Sequence, residues 1–317
     1  MRRSPASIRT PARFVGFGRE PLGRDRLRRC TVRYSGGMSA ALPSDGFRSA
    51  LVLGGGGPVG ISWMAGLAAG LREAGVELGR ADRFVGTSAG SIVGTVLAGD
   101  GDLARLLNPP PVSAPPPQVD QARLAEIFAI LGRPALDPMQ ARRRVGELAL
   151  AAGAGDPDDH VARISALVGP VPWPQRDLVV TSVDAESGEL RAWTRDGAAS
   201  LPQALAASTA VPGVFPPIPI DGRHYIDGGV RSSINADLAA GAELVVIVEP
   251  LAHMFPRIPS DTELGSATTI SIVPDHATIG VFGVDVFNPA ALVPAYEAGV
   301  RQATAAAPDL KGVWPVG

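Results

Sequence analysis

The stretch that decides the fold is Arg83-Phe-Val-Gly-Thr-Ser-Ala-Gly90, followed closely by the apolar run from Ile92 to Leu97. A short apolar run that enters a glycine-flanked turn and leaves with helical character predicts a strand, a sharp turn and a helix. Residues Gly86 to Gly90 form a G-x-S-x-G sequence, which would place Ser88 on a strained backbone with its hydroxyl projecting from the sheet. Ser88 is therefore a candidate nucleophile. The alternative is a turn of small residues in which this serine only caps a helix.

A second unit of the same kind lies upstream. The apolar run from Ser49 to Leu53 ends in Gly54-Gly-Gly-Gly-Pro-Val-Gly60, and helical spacing follows from Ile61 to Ala74. Two strand–turn–helix units in succession predict a parallel α/β sheet with helices on its faces. The backbone N–H groups of a glycine-rich turn can converge on an anion, which in an acyl hydrolase is the tetrahedral oxyanion.

The same glycine-rich turn supports a competing function. Gly55, Gly57 and Gly60 match the G-x-G-x-x-G dinucleotide fingerprint, and Glu77 lies where an acidic residue would bind the ribose. A dinucleotide-binding oxidoreductase is therefore the alternative class of protein. A P-loop is excluded because no Gly-Lys-Ser/Thr sequence follows, and the only lysine is Lys311.

The rest of the chain extends the α/β pattern. Residues 108–118 contain six prolines and predict a loop, and residues 108–174 as a whole predict a helical insertion. Further helices are predicted at about 119–132, 138–152, 157–168, 201–208, 235–240 and 289–306. Further strands are predicted at 178–183, 190–193, 218–220, 225–226, 244–248 and 269–273. The predicted fold is three-layer α/β, with a mostly parallel central sheet flanked by helices.

A serine nucleophile needs a base, and an aspartate is the best candidate. The turn Asp227-Gly228-Gly229 follows the predicted strand Tyr225-Ile226, and its glycines would leave the carboxylate exposed. The simpler interpretation is an ordinary Asp-Gly turn. A second pair, Asp221-Gly222, fits better as a hairpin turn. No histidine lies in a turn that marks it as a base, and the four histidines are His160, His224, His253 and His276.

Composition excludes several classes of protein. The formal net charge of −2 gives no reason to expect nucleic acid as a partner. A single cysteine, Cys30, excludes an internal disulfide framework, and no HExxH or paired-histidine spacing indicates zinc. We expect neither a metal nor an organic cofactor.

Charge is unevenly distributed along the chain. Residues 1–37 contain ten arginines against Glu20 and Asp25, with no periodicity and no apolar stretch after the paired arginines. This composition predicts a disordered leader over residues 1–47, with Met38 as an alternative start, and argues against a secretory signal. A basic arm that touches anionic lipid is the alternative. We predict a cytoplasmic protein, peripheral at the membrane in that alternative, with one domain over residues 48–308 and a tail over 309–317.

The three motifs, in their order and spacing, resemble the patatin-like phospholipases. The segment Ala204–Pro217, continuing to Tyr225–Val230, is similar to the family's approach to its catalytic aspartate, and the resemblance covers roughly residues 48–305. It implies a Ser-Asp dyad without histidine, with Ser88 as nucleophile and Asp227 as base, acting on a lipid or other ester. It also implies oxyanion-hole donors at Gly55, Gly56 and Gly57, within motifs completed by Gly60, Gly86, Gly90, Gly228 and Gly229.

One departure from the family pattern concerns the head group of the substrate. Many members carry a basic residue just before the last glycine of the first motif, where this chain has Val59, and Pro58 lacks an N–H donor. We therefore expect the oxyanion hole to have fewer N–H donors and the site to attract an anionic head group less strongly. Thioesterase or acyltransferase activity on the same dyad is the alternative. Five apolar residues of the insertion are predicted to cover an acyl chain or to form ordinary core: Leu124, Ile127, Phe128, Ile130 and Leu131.

Overall fold

A central sheet of eight strands organises the protein, whose computed structural model describes residues 46–113, 119–133 and 135–315. The strands are β1 (Ser49–Leu53), β2 (Arg83–Thr87), β3 (Asp177–Asp184), β4 (Leu190–Trp193), β5 (Ile218–Ile220), β6 (Arg223–Asp227), β7 (Leu244–Val248) and β8 (Thr268–Ile272). The α-helices are α1 (Gly57–Glu73), α2 (Ala89–Ala98), α3 (Gln121–Leu131), α4 (Pro138–Ala151), α5 (Pro157–Val168), α6 (Leu201–Ser208), α7 (His276–Phe282) and α8 (Leu292–Leu310).

The sheet is mostly parallel. The strand order is β5-β6-β3-β2-β1-β7-β8, and β4 pairs with β3 outside this path. The β1–β2, β1–β7, β2–β3 and β7–β8 pairs are parallel. The two hairpins, β3–β4 and β5–β6, are antiparallel, as is the β3–β6 pair. The predicted α/β class with a mostly parallel sheet is confirmed.

Both faces of the sheet are buried. Leu51 and Leu53 pack with α1, α2, α6 and α8 on one face, whereas Ala50 and Val52 pack on the other face with a short 3₁₀ helix at Ala236–Ala239. Helices α3 and α4 continue that second layer against Val183 and its neighbours. Burial on both faces explains why β1 and β7 are continuous apolar runs and not alternating ones.

Three features differ from the sequence-based expectations. Helix α1 begins at Gly57, inside the predicted turn, because Pro58 is compatible with the first turn of a helix. Helix α7 was not predicted. Helix α8 extends to Leu310, and the buried Trp314 donates its indole N–H to the carbonyl oxygen of Glu77 at 2.7 Å, so part of the predicted tail packs on the core.

Two of the predicted segments lie wholly or partly outside the residues that the structure describes. Up to residue 45 the predicted leader lies outside the described residues, as do residues 114–118 of the proline-rich segment. Residues 108–113 of that segment form neither helix nor strand. No helix in the described residues is both long and apolar enough to cross a membrane.

Candidate active site

Ser88 lies at the junction between β2 and α2 in a strained backbone conformation. Its φ is 51° and its ψ is −120°, a backbone conformation that residues other than glycine rarely adopt. The flanking glycines permit the sharp turn. A Cβ atom at Gly90 would overlap the carbonyl oxygen of Leu53, and one at Gly86 would lie 2.5 Å from the Cα of Ser91. The predicted strand, turn and helix are therefore present, and their glycines are required for close packing.

The strained turn is held by hydrogen bonds on both sides of Ser88. Its backbone N–H donates to the Oγ of Ser208, the last residue of α6, at 2.9 Å. Its carbonyl oxygen accepts the backbone N–H of Ser91 at 2.9 Å and the Ser91 hydroxyl at 2.7 Å. Ser208 is not among the candidate residues predicted from the sequence, although it lies in the segment Ala204–Pro217 that resembles the family.

The pairing of β3 brings Asp227 to Ser88. On one edge of β3, Thr181 pairs with Thr87 of β2, and the next residue, Ser182, pairs with Asp227 of β6. Strand β4 pairs with residues 180–183 of β3 and so occupies its other edge. The ends of β2 and β6 therefore meet. The Ser88 hydroxyl donates to Oδ2 of Asp227 at 2.6 Å, which brings the two sequence-predicted residues into direct contact.

The Asp227 carboxylate is almost completely removed from solvent. Asp227 is 5% exposed and Ser88 is 7% exposed. The other carboxylate oxygen of Asp227, Oδ1, accepts the N–H of Gly229 at 2.7 Å. Burial raises the pKa of Asp227 to about 7, although the hydrogen bonds from Ser88 and Gly229 act in the opposite direction. A carboxylate with this pKa is suited to accept a proton near neutral pH.

The glycine-rich turn adjoins the nucleophile, but one of its predicted donors is already occupied. A Cβ atom at Gly55 would lie 3.6 Å from the Cβ of Ser88. The N–H of Gly55 donates to the carbonyl oxygen of Ser233 at 2.8 Å, so in this structure it is not free to donate to an oxyanion. No acceptor among the described residues binds the N–H of Gly56 or Gly57, at the start of α1.

The loop after α7 covers the other side of the glycine-rich turn. The N–H of Val59 donates to the carbonyl oxygen of Val286 at 3.1 Å. A Cβ atom at Gly57, whose φ is 58°, would lie 2.9 Å from the side chain of Val286. The turn therefore offers free N–H groups at Gly56 and Gly57 alone among residues 54–57, since Gly54 also donates to Val248.

None of the four histidines, all of which lie in the described residues, hydrogen-bonds to the dyad. His160 contacts the Thr209 hydroxyl at 3.0 Å, and burial lowers its pKa to about 3. His224 contacts Glu186 at 2.9 Å, the His253 ring lies 6.1 Å from that of Phe282, and His276 begins α7. Asp227 is therefore the side chain in contact with Ser88 that can accept its proton.

The contacts of Glu77 contradict the dinucleotide alternative. Glu77 precedes β2 and caps the 3₁₀ helix Leu78–Arg80, where its carboxylate accepts the N–H of Gly79. The glycine-rich turn follows the carboxyl end of β1, which is parallel to β2. Glu77 thus lies at the amino ends of the parallel strands and the turn lies at their carboxyl ends, so Glu77 cannot bind a ribose held at the turn.

The apolar residues of the insertion divide between two environments. Ile127 and Ile130 are buried with residues of α4 and β6, as the ordinary-core interpretation predicts. Phe128 is 47% exposed, and its ring centroid lies 5.5 Å from that of Phe255. No group of three or more potential metal ligands is present in the described residues.

Comparison with known proteins identifies the family. The family model for the patatin-like phospholipases matches residues 51–240, more than half of the chain, and this span contains all three motifs. The protein therefore belongs to the patatin-like phospholipase family, as the motifs predicted, and this membership supports lipid acyl hydrolase activity.

Similar solved structures include VipD and ExoU. VipD from Legionella pneumophila is 15% identical with a TM-score of 0.43, and the alignment covers 83% of this chain and 67% of that one. The type III effector protein ExoU is 18% identical with a TM-score of 0.33, over 83% of this chain and 53% of that one. The chain thus spans about half of the ExoU chain. No curated protein matches the sequence.

Proposed function

We propose that the protein hydrolyses lipid esters through an acyl-serine intermediate, with Ser88 as nucleophile and Asp227 as the only side-chain base. The observation that carries this proposal is the 2.6 Å hydrogen bond between the Ser88 hydroxyl and the buried Asp227 carboxylate. Membership in the patatin-like phospholipase family supports a lipid as the substrate.

The first half of the reaction forms the acyl-enzyme. The Ser88 Oγ attacks the ester carbonyl carbon while its proton moves to Oδ2 of Asp227, and the carbonyl oxygen becomes an oxyanion. The C–O bond to the leaving alcohol then breaks, and Asp227 returns the proton to that alcohol. In the second half, Asp227 takes a proton from water, the resulting hydroxide attacks the acyl carbon, and the proton passes back to Ser88.

We infer that three backbone N–H groups stabilise the oxyanion. Two are those of Gly56 and Gly57, which have no acceptor in the described residues. The third is that of Ala89, because the residue after a nucleophile on this kind of turn donates to the hole, and its N–H is likewise without an acceptor there. The Ser88 N–H takes no part, since it donates to Ser208. Removing one such donor typically costs about 10²–10³ in rate.

The chemistry of the dyad permits an aspartate to act without histidine. An ordinary aspartate, with a pKa near 3.8, is a weak base toward a serine hydroxyl, whereas burial brings Asp227 to about 7. This change places the carboxylate near the pKa that histidine contributes in a triad. No metal or cofactor is required for any step.

The test combines active-site labelling with two substitutions and one matched control. A fluorophosphonate probe followed by peptide mapping should label Ser88. Ser88→Ala and Asp227→Asn should each reduce kcat/KM for a soluble ester by several orders of magnitude. Asp221→Asn is the matched control. Asp221 lies in the turn between β5 and β6 with a φ of 50°, which asparagine also tolerates, so this variant should retain activity.

Two further arms distinguish the alternatives. His224→Ala, His253→Ala and His276→Ala should each retain most activity; loss of activity in one of them, with Asp227→Asn still active, would assign the protein to the triad hydrolases. A panel of oxygen esters and thioesters of varied chain length, with and without an acceptor alcohol, separates lipase from thioesterase and acyltransferase activity.

A further inference from the structure

We propose that Asn235 is a positioning residue for the reaction, which ties the strand carrying Ser88 to the turn that follows Asp227. This inference rests on the proposed function, because it concerns the separation of the two proposed reacting groups. Asn235 lies in none of the three motifs, and its sequence context predicted only the start of a helix.

The side-chain amide of Asn235 contacts the chain beside each member of the dyad. Its Nδ2 donates to the Thr87 hydroxyl at 3.0 Å and approaches the carbonyl oxygen of Gly228 at 3.3 Å. Thr87 is the residue before Ser88, and Gly228 is the residue after Asp227. One amide group thus links the immediate neighbours of the nucleophile and of the base.

The surroundings of Asn235 fix the orientation of its amide. Nδ2 also donates to the carbonyl oxygen of Ser232 at 2.9 Å, and Oδ1 accepts from a guanidinium nitrogen of Arg231 at 2.7 Å. The partners near Nδ2 are carbonyl and hydroxyl oxygens, whereas the partner of Oδ1 is a donor, so the reversed amide would place oxygen against carbonyl oxygens. Asn235 is fully buried, which makes each unsatisfied group costly.

The backbone around Asn235 is also held by hydrogen bonds. Its φ of 50° and ψ of 45° lie in the left-handed region, which asparagine tolerates better than most residues. Its N–H and that of Ile234 donate to the Ser232 hydroxyl, which donates to the buried Asp261 at 2.7 Å. Asp261 in turn accepts the N–H of Ala236 at 3.0 Å. The amide therefore projects from a rigid segment.

A rigid tie of this kind sets the geometry on which proton transfer depends. The proposed reaction needs Oγ of Ser88 and Oδ2 of Asp227 at hydrogen-bond distance, and they are 2.6 Å apart. A displacement of about 1 Å in such a pair can cost about 10²-fold in rate. Loss of the Asn235 amide should therefore lower kcat and leave KM nearly unchanged, because Asn235 is fully buried and its amide bonds to residues beside the dyad.

Two substitutions at Asn235 separate hydrogen bonding from size and backbone conformation. Asn235→Gly accepts the left-handed backbone and removes the amide. Asn235→Asp keeps the size and places an acceptor oxygen against acceptors. We expect both to lower kcat for a soluble ester by about 10²-fold, with KM changed by about twofold or less. The rate of fluorophosphonate labelling of Ser88 should fall in parallel with kcat.

A double-mutant cycle tests the link through Thr87 without altering residue 235. Thr87→Val keeps the shape of the side chain and removes the hydroxyl, so kcat should fall by about 10-fold. Combined with Asn235→Gly, Thr87→Val should add little, since both remove the same link. Trp314→Phe is the stability control, because it removes the hydrogen bond to the carbonyl oxygen of Glu77, at the end of the strands away from the dyad. This variant should be less stable but should keep its kcat.

These experiments distinguish failure of the Asn235 positioning role from failure of the proposed function. Wild-type kcat in folded Asn235→Gly and Asn235→Asp, or fully additive losses in the cycle, would overturn the positioning role while leaving the dyad intact. If neither Asn235 variant folds, Thr87→Val decides, and an unchanged kcat in that variant overturns the inference. Absence of ester hydrolysis in the wild type, with no labelling of Ser88, would instead overturn the proposed function.

Discussion

Thr87 and Asp227 lie in succession along one edge of β3, opposite Thr181 and Ser182 respectively. This arrangement exists because β3 spans eight residues and β2 only five, so β3 extends beyond the end of β2. The free end of β3 accepts β6 in the antiparallel direction, and β6 therefore ends where β2 ends. The contact between Ser88 and Asp227 is thus a consequence of strand length and strand direction.

The first prediction concerns the pH dependence of activity. A general base must be ionised, and burial raises the pKa of Asp227 to about 7. We therefore expect kcat/KM to rise with pH through about 7 and then to reach a plateau. The measurement is kcat/KM for a soluble ester in buffers of constant ionic strength. The residual activity of Asp227→Asn should lack this acid limb, and persistence of the limb in that variant would assign it to another group.

The second prediction concerns stability. An unfolded chain loses the Asp227 proton near pH 3.8, whereas the folded protein keeps it up to about 7. Because the folded state binds more protons between these values, this carboxyl makes the protein less stable as the pH rises from about 3.8 to about 7. Asp227→Asn should therefore raise the Tm by several degrees at about pH 8, and the gain should vanish near pH 4. A gain that is equal at both pH values would contradict this origin.

The sequence predicted most of the sheet and both proposed reacting residues, because each depends on a local pattern. Strand β1 is a short apolar run that ends in glycines, and Ser88 and Asp227 lie at the ends of β2 and β6 beside glycines that mark them in the sequence. The start of α1 was misplaced because consecutive glycines favour a turn, whereas here Gly57 and Pro58 form the first helical turn. Helix α7 spans only seven residues and depends on the Asp275 side chain as its cap.

The supporting contacts could not be predicted in the same way, because they join distant parts of the chain. Ser208 is 120 residues from Ser88, and Asn235 is 148 residues from Thr87. No periodicity relates residues at such separations. The acceptor of the Gly55 N–H could not be predicted for the same reason: it is the carbonyl oxygen of Ser233, which reaches the turn only in the folded protein.

The third prediction concerns the glycines of the elbow. A Cβ atom at Gly90 would overlap the carbonyl oxygen of Leu53, so α2 could not approach β1. Gly90→Ala should therefore destabilise the protein strongly, by an amount typical of overpacking, about 1–3 kcal/mol or more. Gly280→Ala in α7 is the matched control, because no atom lies within 4 Å of the added Cβ. The control should be neutral or stabilising in thermal unfolding, since alanine favours helix. Equal losses in both variants would contradict this explanation.

The last prediction concerns Ser208 and the strained backbone of Ser88. The Ser208 hydroxyl accepts the Ser88 N–H at 2.9 Å and holds φ of Ser88 at 51°. Ser208→Ala leaves that buried N–H without its acceptor, which costs about 1–3 kcal/mol, and allows the strained turn to relax. We expect a lower Tm together with a fall in kcat of about 10-fold or more, because relaxation moves Oγ away from Asp227.

The neighbouring residue supplies the control that separates this effect from simple destabilisation. Thr209 also carries a buried hydroxyl at the end of α6, but its partners are His160 and the carbonyl oxygen of Leu205. Thr209→Val should lower the Tm to a similar extent and change kcat by about twofold or less. Thermal unfolding and steady-state kinetics are measured on the same preparations. Should the two variants lose kcat equally, Ser208 stabilises the end of α6 and has no specific effect on the nucleophile; should only Ser208→Ala lose kcat, its hydroxyl maintains the conformation of Ser88.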